Sequence, residues 1–289
     1  MKYNSSMEND DYQLIDSGSG QKLELFGRYL VSRPAGQAVW NKQESDAEWN
    51  KAKASFTRED EKKWNLQKGL PTEWSITVSG IKFKIQPTDF GHLGIFPEQK
   101  PQWRWIQETI SKENRPIKVL NLFAYSGGST LAAAKAGAEV VHLDASKGMV
   151  AWARENADLN NLTNAPIRWI IDDVKKFLKR EIRRENRYDA IILDPPSFGR
   201  GSKGEVFKIE EDIIPLLNWC QELLSDDPLF ILFSCHTPGF TPTALGNLVS
   251  QMMQDKAGTI STGEMFLEGT PEKFSLPSGA FARWYCGDQ

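Results

Sequence analysis

Apolar residues recur along the second half of the chain in short runs that alternate with stretches of helical spacing. Five runs rich in Val, Ile and Leu are typical of strands buried on both faces of a parallel sheet. They occupy residues 119–123, 139–143, 167–171, 189–193 and 229–233. Residues 259–268 and 281–286 are expected to close the sheet as an antiparallel hairpin. We therefore predict an α/β fold with a doubly wound, mostly parallel sheet.

The first ninety residues follow a different pattern. Short strand candidates surround a glycine turn at residues 17–20, and residues 73–85 alternate as a hairpin that turns at Ser79 and Gly80. The charged residues 43–63 predict a solvated excursion across the surface, with Trp49, Phe56 and Trp64 as isolated anchors. We expect a small β-rich domain over residues 1–90, with its first ten or so residues flexible, and a second domain over residues 91–289.

Composition narrows the possible partners and the compartment. The 289 residues carry a formal net charge of −3, which argues against binding of nucleic acid by bulk charge alone. Three cysteines without a C-x-x-C pair indicate free thiols in a reducing cytoplasm, and three scattered histidines give no metal spacing. No apolar run approaches the ~20 residues of a membrane span. We expect a cytoplasmic protein without a metal or a membrane partner.

Residues 119–146, with the sequence VLNLFAYSGGSTLAAAKAGAEVVHLDAS, carry the first candidate site. They predict a strand, a glycine turn, a helix and a second strand that ends at Asp144. Ligands of open α/β sheets bind at the carboxyl ends of strands, where a carboxylate can accept hydrogen bonds from both hydroxyls of a ribose. The loop lacks the G-x-G-x-x-G fingerprint of dinucleotide sites, so it favours S-adenosylmethionine (SAM) over NAD. An ordinary βαβ unit with a solvated Asp is the alternative.

Polar residues follow the next two predicted strands at the same edge of the sheet. Asp172 and Asp173 come after the third strand, where an acid can accept the adenine amino group or cap the next helix. Asp194-Pro195-Pro196-Ser197-Phe198 comes after the fourth. Its prolines stiffen the loop, its carboxylate and carbonyls can hold an amino-bearing base, and Phe198 can stack on that base.

Cys235 follows the fifth strand and has two interpretations. A thiolate that adds to a cytosine ring would make carbon 5 nucleophilic toward the methyl group of SAM, and His236 could lower the pKa of the thiol. The alternative is a small, buried, apolar cysteine. In that case Asp194 with Phe198 would suffice for a nitrogen acceptor, which needs no covalent step.

The helix predicted over residues 174–187 is strongly basic. Five of its residues share one face by their i, i+3 and i+4 spacing: Lys176, Arg180, Arg183, Arg184 and Arg187. Such a run is usually a solvated face, but it could also contact the phosphates of an RNA.

The motifs VLNLFAYSGG, HLDAS, WIIDDV, DPPSF and FSC, in this order and spacing, resemble the Rossmann-like class I SAM-dependent methyltransferases. The resemblance covers about residues 91–284. The group it points to includes the large-subunit ribosomal RNA methyltransferases that make 5-methylcytosine or 7-methylguanosine. Unlike members of that group, the chain is expected to lack an N-terminal PUA RNA-binding domain.

Together, the motifs and the resemblance imply a set of site residues. Asp194 and Cys235 are the candidate catalytic residues, and Pro195, Pro196 and Phe198 would contact the substrate base. SAM, with S-adenosylhomocysteine (SAH) as its product, would contact Phe96, Gln99, Asn121, Phe123, Ala124, Tyr125, Ser126, Gly127, Gly128, Ser129, Asp144, Ala145, Ser146, Met149, Asp173, Val174 and Asp194.

We therefore predict a SAM-dependent methyltransferase that acts on a nucleobase in RNA, and specifically in ribosomal RNA. Methylation of a small molecule or a protein side chain is the first alternative, which the net negative charge favours. A catalytically silent SAM-binding protein is the second. The DPPSF sequence argues against this second alternative, because a protein that only binds SAM needs no loop that presents a methyl acceptor to the cofactor.

Overall fold

The computed structural model describes residues 10–57, 63–201 and 204–287, and these residues form two compact units. The first unit extends to Pro101 and takes in Phe266–Pro277, and the second comprises Gln102–Met265 with the residues from Ser278 onward. The first unit therefore reaches beyond the expected boundary at residue 90 and includes one end of each of the last two strands. Residues 1–9, where we expect flexibility, lie outside the described residues.

A five-stranded sheet dominates the first unit. Its strands, in sheet order, are β1 (Tyr12–Gly18), β2 (Gln21–Phe26), β3 (Tyr29–Pro34), β4 (Ala54–Thr57) and β5 (Lys63–Leu66). Neighbours pair antiparallel, apart from the parallel pair β3 and β4. A separate hairpin consists of β6 (Trp74–Val78) and β7 (Ile81–Ile85), joined by the predicted turn at Ser79 and Gly80, both of positive φ.

Residues 43–57 are mostly exposed or half-buried, and Trp49 and Phe56 are buried as the predicted anchors, but the prediction missed the regular structure of the segment. The segment contains a short helix, α1 (Asp46–Trp49), and the strand β4. Trp49, Ala54 and Phe56 are buried, and their apolar area anchors a segment whose other residues are largely charged.

The second unit is built on a seven-stranded sheet. Five strands run parallel in the order β10-β9-β8-β11-β14, and β16 adds antiparallel to β14, with β15 beside it at the edge. A small hairpin, β12 with β13, stands apart from the sheet. The bounds are β8 (Lys118–Leu122), β9 (Glu139–Asp144), β10 (Ile167–Ile171), β11 (Ala190–Leu193), β12 (Phe198–Arg200), β13 (Val206–Lys208), β14 (Phe230–Cys235), β15 (Thr259–Leu267) and β16 (Leu276–Tyr285).

Helices cover both faces of this sheet, which confirms the predicted α/β fold. One buried core joins alternate strand residues, such as Leu120 and Ile191, to the apolar faces of α5, α6 and α7. On the opposite face, α3 and α4 contact β9. The helices are α2 (Lys100–Ser111), α3 (Gly128–Lys135), α4 (Lys147–Leu159), α5 (Val174–Arg183), α6 (Ile209–Glu222) and α7 (Pro242–Met252). The strand order reverses between β8 and β11, which places a switch point at their carboxyl ends.

The helix α5 ends at Arg183, four residues before the predicted end. Glu185 adopts a left-handed φ of 56°, and the Asn186 N–H donates to the carbonyl of Glu181. This pattern closes the last helical turn and directs the chain away from the helix axis. Arg184 and Arg187 therefore lie beyond the helix.

Candidate active site

The loop between β8 and α3 has an unusual backbone. Phe123 and Tyr125 adopt left-handed φ angles of 56° and 49°, and Gly127 has a φ of 95°. Bulky residues rarely adopt this region, and such conformations cluster at functional sites where the surroundings impose them. The Ala124 N–H donates to the carbonyl of Leu143, so β9 holds the start of the loop.

Asp144 ties this loop to the end of β9. Its Oδ2 accepts from the Tyr125 N–H at 2.9 Å, and its Oδ1 accepts from the Ser146 N–H at 2.8 Å. Burial raises the pKa of the Asp144 carboxyl, although the two amide donors oppose this shift. Each carboxylate oxygen still has a lone pair, so the group can also accept from two vicinal hydroxyls, as the ribose assignment requires.

The glycines of the loop permit close packing. A Cβ on Gly128 would lie 2.6 Å from the ring of Trp103, and one on Gly127 would lie 3.1 Å from Cβ of Ala153. Asn156 supports the same loop, since its Nδ2 donates to the carbonyl of Ser126 at 2.9 Å. The sequence prediction missed Trp103 and Asn156, because nothing local marks a tryptophan or an asparagine on another helix as a support for this loop.

A buried polar chain lies between the sheet and α3. The Asn121 Nδ2 donates to the Thr130 Oγ1 at 2.9 Å, and that oxygen is 2.9 Å from the His142 Nδ1. Burial lowers the pKa of His142 to about 3, so the ring is neutral at pH 7. The Asn121 side chain thus helps to hold α3 in place, and its contact with a cofactor stays a prediction. Ser129 is half-buried in the first turn of α3.

The residues predicted at the adenine end lie where β9 and β10 finish. Asp173 caps α5 by accepting from the Lys176 N–H at 3.0 Å, so it performs the capping role considered as an alternative. Val174 is buried in the first turn of that helix. Met149 is half-buried in the first turn of α4, which Ser146 caps, and Ala145 is exposed between that cap and Asp144.

The loop after β11 presents the predicted acceptor residues. The side chain of Asp194 is 26% exposed, and its Oδ1 lies 3.1 Å from the Nδ1 of His236. Phe198 begins β12 and is 50% exposed, whereas Pro195 is buried and Pro196 is exposed. A half-exposed aromatic ring is a suitable contact for a planar group.

Cys235 ends β14 with its side chain in the core rather than at the surface. Burial raises the pKa of the thiol, and hydrogen bonds from Thr237 only partly counter the shift. His236 turns instead toward Asp194. The structure therefore favours the apolar interpretation of Cys235, and its role as a nucleophile stays a prediction.

Several cations of the basic segment are paired within the protein. Arg180 forms an ion pair with Asp172 at 2.8 Å. Arg184 lies 3.5 Å from a carboxylate oxygen of Glu181, and Lys176 forms an ion pair with Glu205. Lys175 donates to the carbonyl of Val206 and to Asp212. Two lysines of α5 thus anchor the hairpin of β12 and β13.

Phe96 and Gln99 belong to the first unit. Phe96 precedes a short 3₁₀ turn (Pro97–Gln99), and its ring contacts His92 with centroids 5.3 Å apart. Gln99 is buried, and its N–H donates to the carbonyl of Phe96. Their contact with a cofactor remains a prediction.

Among the described residues, no group of three or more His, Cys, Asp or Glu side chains is arranged to hold a metal ion. In the same part of the chain, no helix combines the length and the apolar character that a membrane crossing requires.

Known proteins resemble this chain in sequence and in structure. A family model described as S-adenosylmethionine-dependent methyltransferase matches residues 47–253. The crystal structure of the SAM-dependent methyltransferase from Agrobacterium tumefaciens has a TM-score of 0.92 and 39% identity, and the match covers 96% of this chain and 91% of that chain. SMU.776 complexed with SAH has a TM-score of 0.74 over 96% of this chain and 76% of that chain, and at 20% identity this likeness shows the fold alone.

Curated relatives include the ribosomal RNA large subunit methyltransferases K/L. The protein of Pseudoalteromonas translucida is 36% identical over 169 residues, which are 58% of this chain and 23% of that protein. The protein of Hahella chejuensis is 34% identical over 166 residues, or 57% of this chain and 22% of that protein. The aligned region thus spans less than a quarter of these relatives.

Proposed function

Because this chain belongs to the S-adenosylmethionine-dependent methyltransferase family, we propose that it methylates a nitrogen atom of a nucleobase in ribosomal RNA. The observation that carries the proposal is the placement of Asp194 at the end of β11, beside the strand that precedes the loop of residues 123–127, with the half-exposed Phe198 four residues further along the chain. A carboxylate and an aromatic ring at this edge suit an amino-bearing base.

The residues at the ends of β8 and β9 fit SAM. Asp144 offers lone pairs to a ribose, and the glycines at 127 and 128 let the loop pack closely on Ala153 and Trp103. When bound, SAM supplies a methyl group on a positively charged sulfur. In the proposal, Asp144 orients the ribose of SAM and Asp173 and Val174 contact its adenine. The strained loop of residues 123–127 contacts the methionine portion of SAM.

The state of Cys235 supports nitrogen rather than carbon as the acceptor. Carbon 5 of cytosine needs a thiolate to become nucleophilic, and the buried Cys235 has a raised pKa. A ring or exocyclic nitrogen needs only orientation and the removal of a proton where it carries one. Asp194, which is partly exposed at the adjoining strand end, can orient such a nitrogen.

Ribosomal RNA is proposed as the substrate from the names of the curated relatives. A cytoplasmic location follows from such a substrate. A small molecule or a protein side chain is the second candidate, and the ion pairs of Lys176, Arg180 and Arg184 favour it because they reduce the charge available to phosphates.

The test is mass spectrometry of nucleosides from the ribosomal RNA of a strain that lacks this protein. We expect one N-methylated nucleoside to disappear, to return with the wild-type gene, and to stay absent with Asp194→Ala. Loss of 5-methylcytosine would contradict the nitrogen assignment and favour Cys235 as the nucleophile. An unchanged set of nucleosides would contradict RNA as the substrate.

A further inference from the structure

The ends of two neighbouring strands of the second unit are joined by paired side chains. β11 and β14 lie side by side in parallel register, with Leu193 opposite Phe233. In the loops that follow, Asp194 Oδ1 lies 3.1 Å from His236 Nδ1, and Ser197 Oγ lies 2.8 Å from Thr237 Oγ1. The side chains of His236 and Asp194 are 31% and 26% exposed, so both reach solvent while held by the fold.

The local backbone is arranged to present His236 outward. The Thr237 N–H lies 3.4 Å from the Sγ of Cys235, whose side chain is in the core, so the residue between them turns to the surface. Gly279 of β16 has a φ of 136°, and a Cβ there would lie 2.6 Å from the carbonyl oxygen of Cys235 and 3.3 Å from Cδ2 of His236. A residue other than glycine would collide with the backbone that carries this histidine.

We propose that His236, oriented by Asp194, is the proton acceptor of the methyl transfer; this inference rests on the proposed nitrogen acceptor. A neutral imidazole whose Nδ1–H donates to Asp194 has a lone pair on Nε2. Asp194 both fixes this tautomer and stabilises the imidazolium that forms, the arrangement known from hydrolases that pair His with Asp.

The step balances as follows. The lone pair of the acceptor nitrogen forms a bond to the methyl carbon of SAM, and the carbon–sulfur bond breaks with its electrons going to sulfur, which gives SAH. The proton that the methylated nitrogen no longer holds passes to Nε2 of His236, and the imidazolium remains paired with the carboxylate of Asp194 until solvent removes the proton.

The direction of the pH dependence follows from this role. Among the described residues, the titratable groups near the ring include Asp194 at the end of β11 and Cys235 at the end of β14, and β16 contributes Gly279, which has no side chain. Only the neutral imidazole accepts a proton, so turnover decreases as pH falls through the pKa of His236 and levels off above it.

The test compares His236→Asn with the wild type in methylation of ribosomal RNA that lacks the modification. The amide of asparagine can still donate to Asp194 from near the position of Nδ1, but it has no group that can take a proton. We expect kcat to fall about 100-fold with little change in the KM for SAM, and the low-pH decrease to disappear. Wild-type kcat and an unchanged pH profile in this variant would overturn the proposal.

A second measurement needs no substrate and separates this inference from the proposed function. Nitrogen NMR of the SAH-bound wild type, with the His236 signals assigned by their loss in His236→Asn, reports the tautomer and the pKa of the ring. We expect the Nδ1–H tautomer, with a lower pKa in Asp194→Asn. The Nε2–H tautomer would overturn the role of His236. Failure of the wild type to methylate any RNA would instead contradict the proposed function.

Discussion

Asp144 shows how one side chain serves both the fold and the candidate site. Its two oxygens accept hydrogen bonds from the backbone amides of Tyr125 and Ser146. The carboxylate therefore connects the strained loop of residues 123–127 to the residue that caps α4. A ribose would bind to an acceptor that is already held in place. Such preorganisation reduces the ordering that binding would otherwise require.

Asp144→Asn should therefore weaken SAH binding by at least about tenfold. The amide replaces one acceptor oxygen by a donor and removes the negative charge, and a hydrogen bond to a charged group contributes about 1.5–3 kcal/mol. Isothermal titration calorimetry measures the change in Kd. Asp158→Asn on α4, which loses the same charge at an exposed position, is the matched control and should bind as the wild type does. An unchanged Kd in Asp144→Asn would rule out the ribose assignment.

At the scale of elements, α5 differs from the basic surface that its sequence suggests. Lys175 and Lys176 hold the hairpin of β12 and β13, and Arg180 pairs with Asp172. These cations stabilise the folded protein through their ion pairs, so substituting them would change the structure as well as the surface charge. Arg183 and Arg187 are exposed near the end of the segment and provide a cleaner test of RNA binding.

The double substitution Arg183→Glu/Arg187→Glu should weaken RNA binding uniformly across sequences. If both cations contact phosphates, the slope of log K against log salt should become shallower by about 2, while SAH affinity stays unchanged. Filter binding at several salt concentrations measures this slope. Lys112→Glu/Lys135→Glu changes the net charge equally at exposed positions and should leave the slope as it is. Equal slopes in both double variants would show that Arg183 and Arg187 are merely solvated.

At the scale of the whole molecule, each unit has its own source of stability. Each unit has an apolar core, and the first also contains a buried ion pair. Glu24 accepts from Arg33 through both carboxylate oxygens at 2.7 Å, with Tyr12 as a further donor. Burial alone would raise the pKa of Glu24, but Arg33 and Lys22 outweigh it and hold the pKa below its usual range.

Arg33→Met should destabilise the protein by about 3–5 kcal/mol at pH 7, because it leaves a buried carboxylate without its main partner. In the wild type, the stabilisation from Glu24 is present above its unfolded pKa and is lost as pH falls through the lower folded pKa. The variant raises that folded pKa, so its deficit should shrink between pH 7 and pH 4.5. Urea unfolding at both values measures the difference. An equal deficit at both would exclude the charge of Glu24 as its cause.

Features that depend on neighbouring residues could be predicted from the sequence. Apolar runs of four or five residues predicted the parallel strands, because strands buried on both faces need apolar side chains in succession. The strand that ends at Asp144 and the acidic loop that begins at Asp194 were identifiable for the same reason. The motifs around them indicated the SAM-dependent methyltransferase family, which the family match confirms.

Features that join distant parts of the chain are visible only in the folded protein. Asp194 and His236 are 42 residues apart in sequence and meet because β11 and β14 are neighbours in the sheet. Trp103, on another helix, packs against Gly128, and Glu205 forms an ion pair with Lys176. Local periodicity has no information about such partners, since they are set by which strands and helices pack together. Whether a cation faces solvent or an acid, and whether a cysteine faces a substrate or the core, is therefore decided by the packing of the fold.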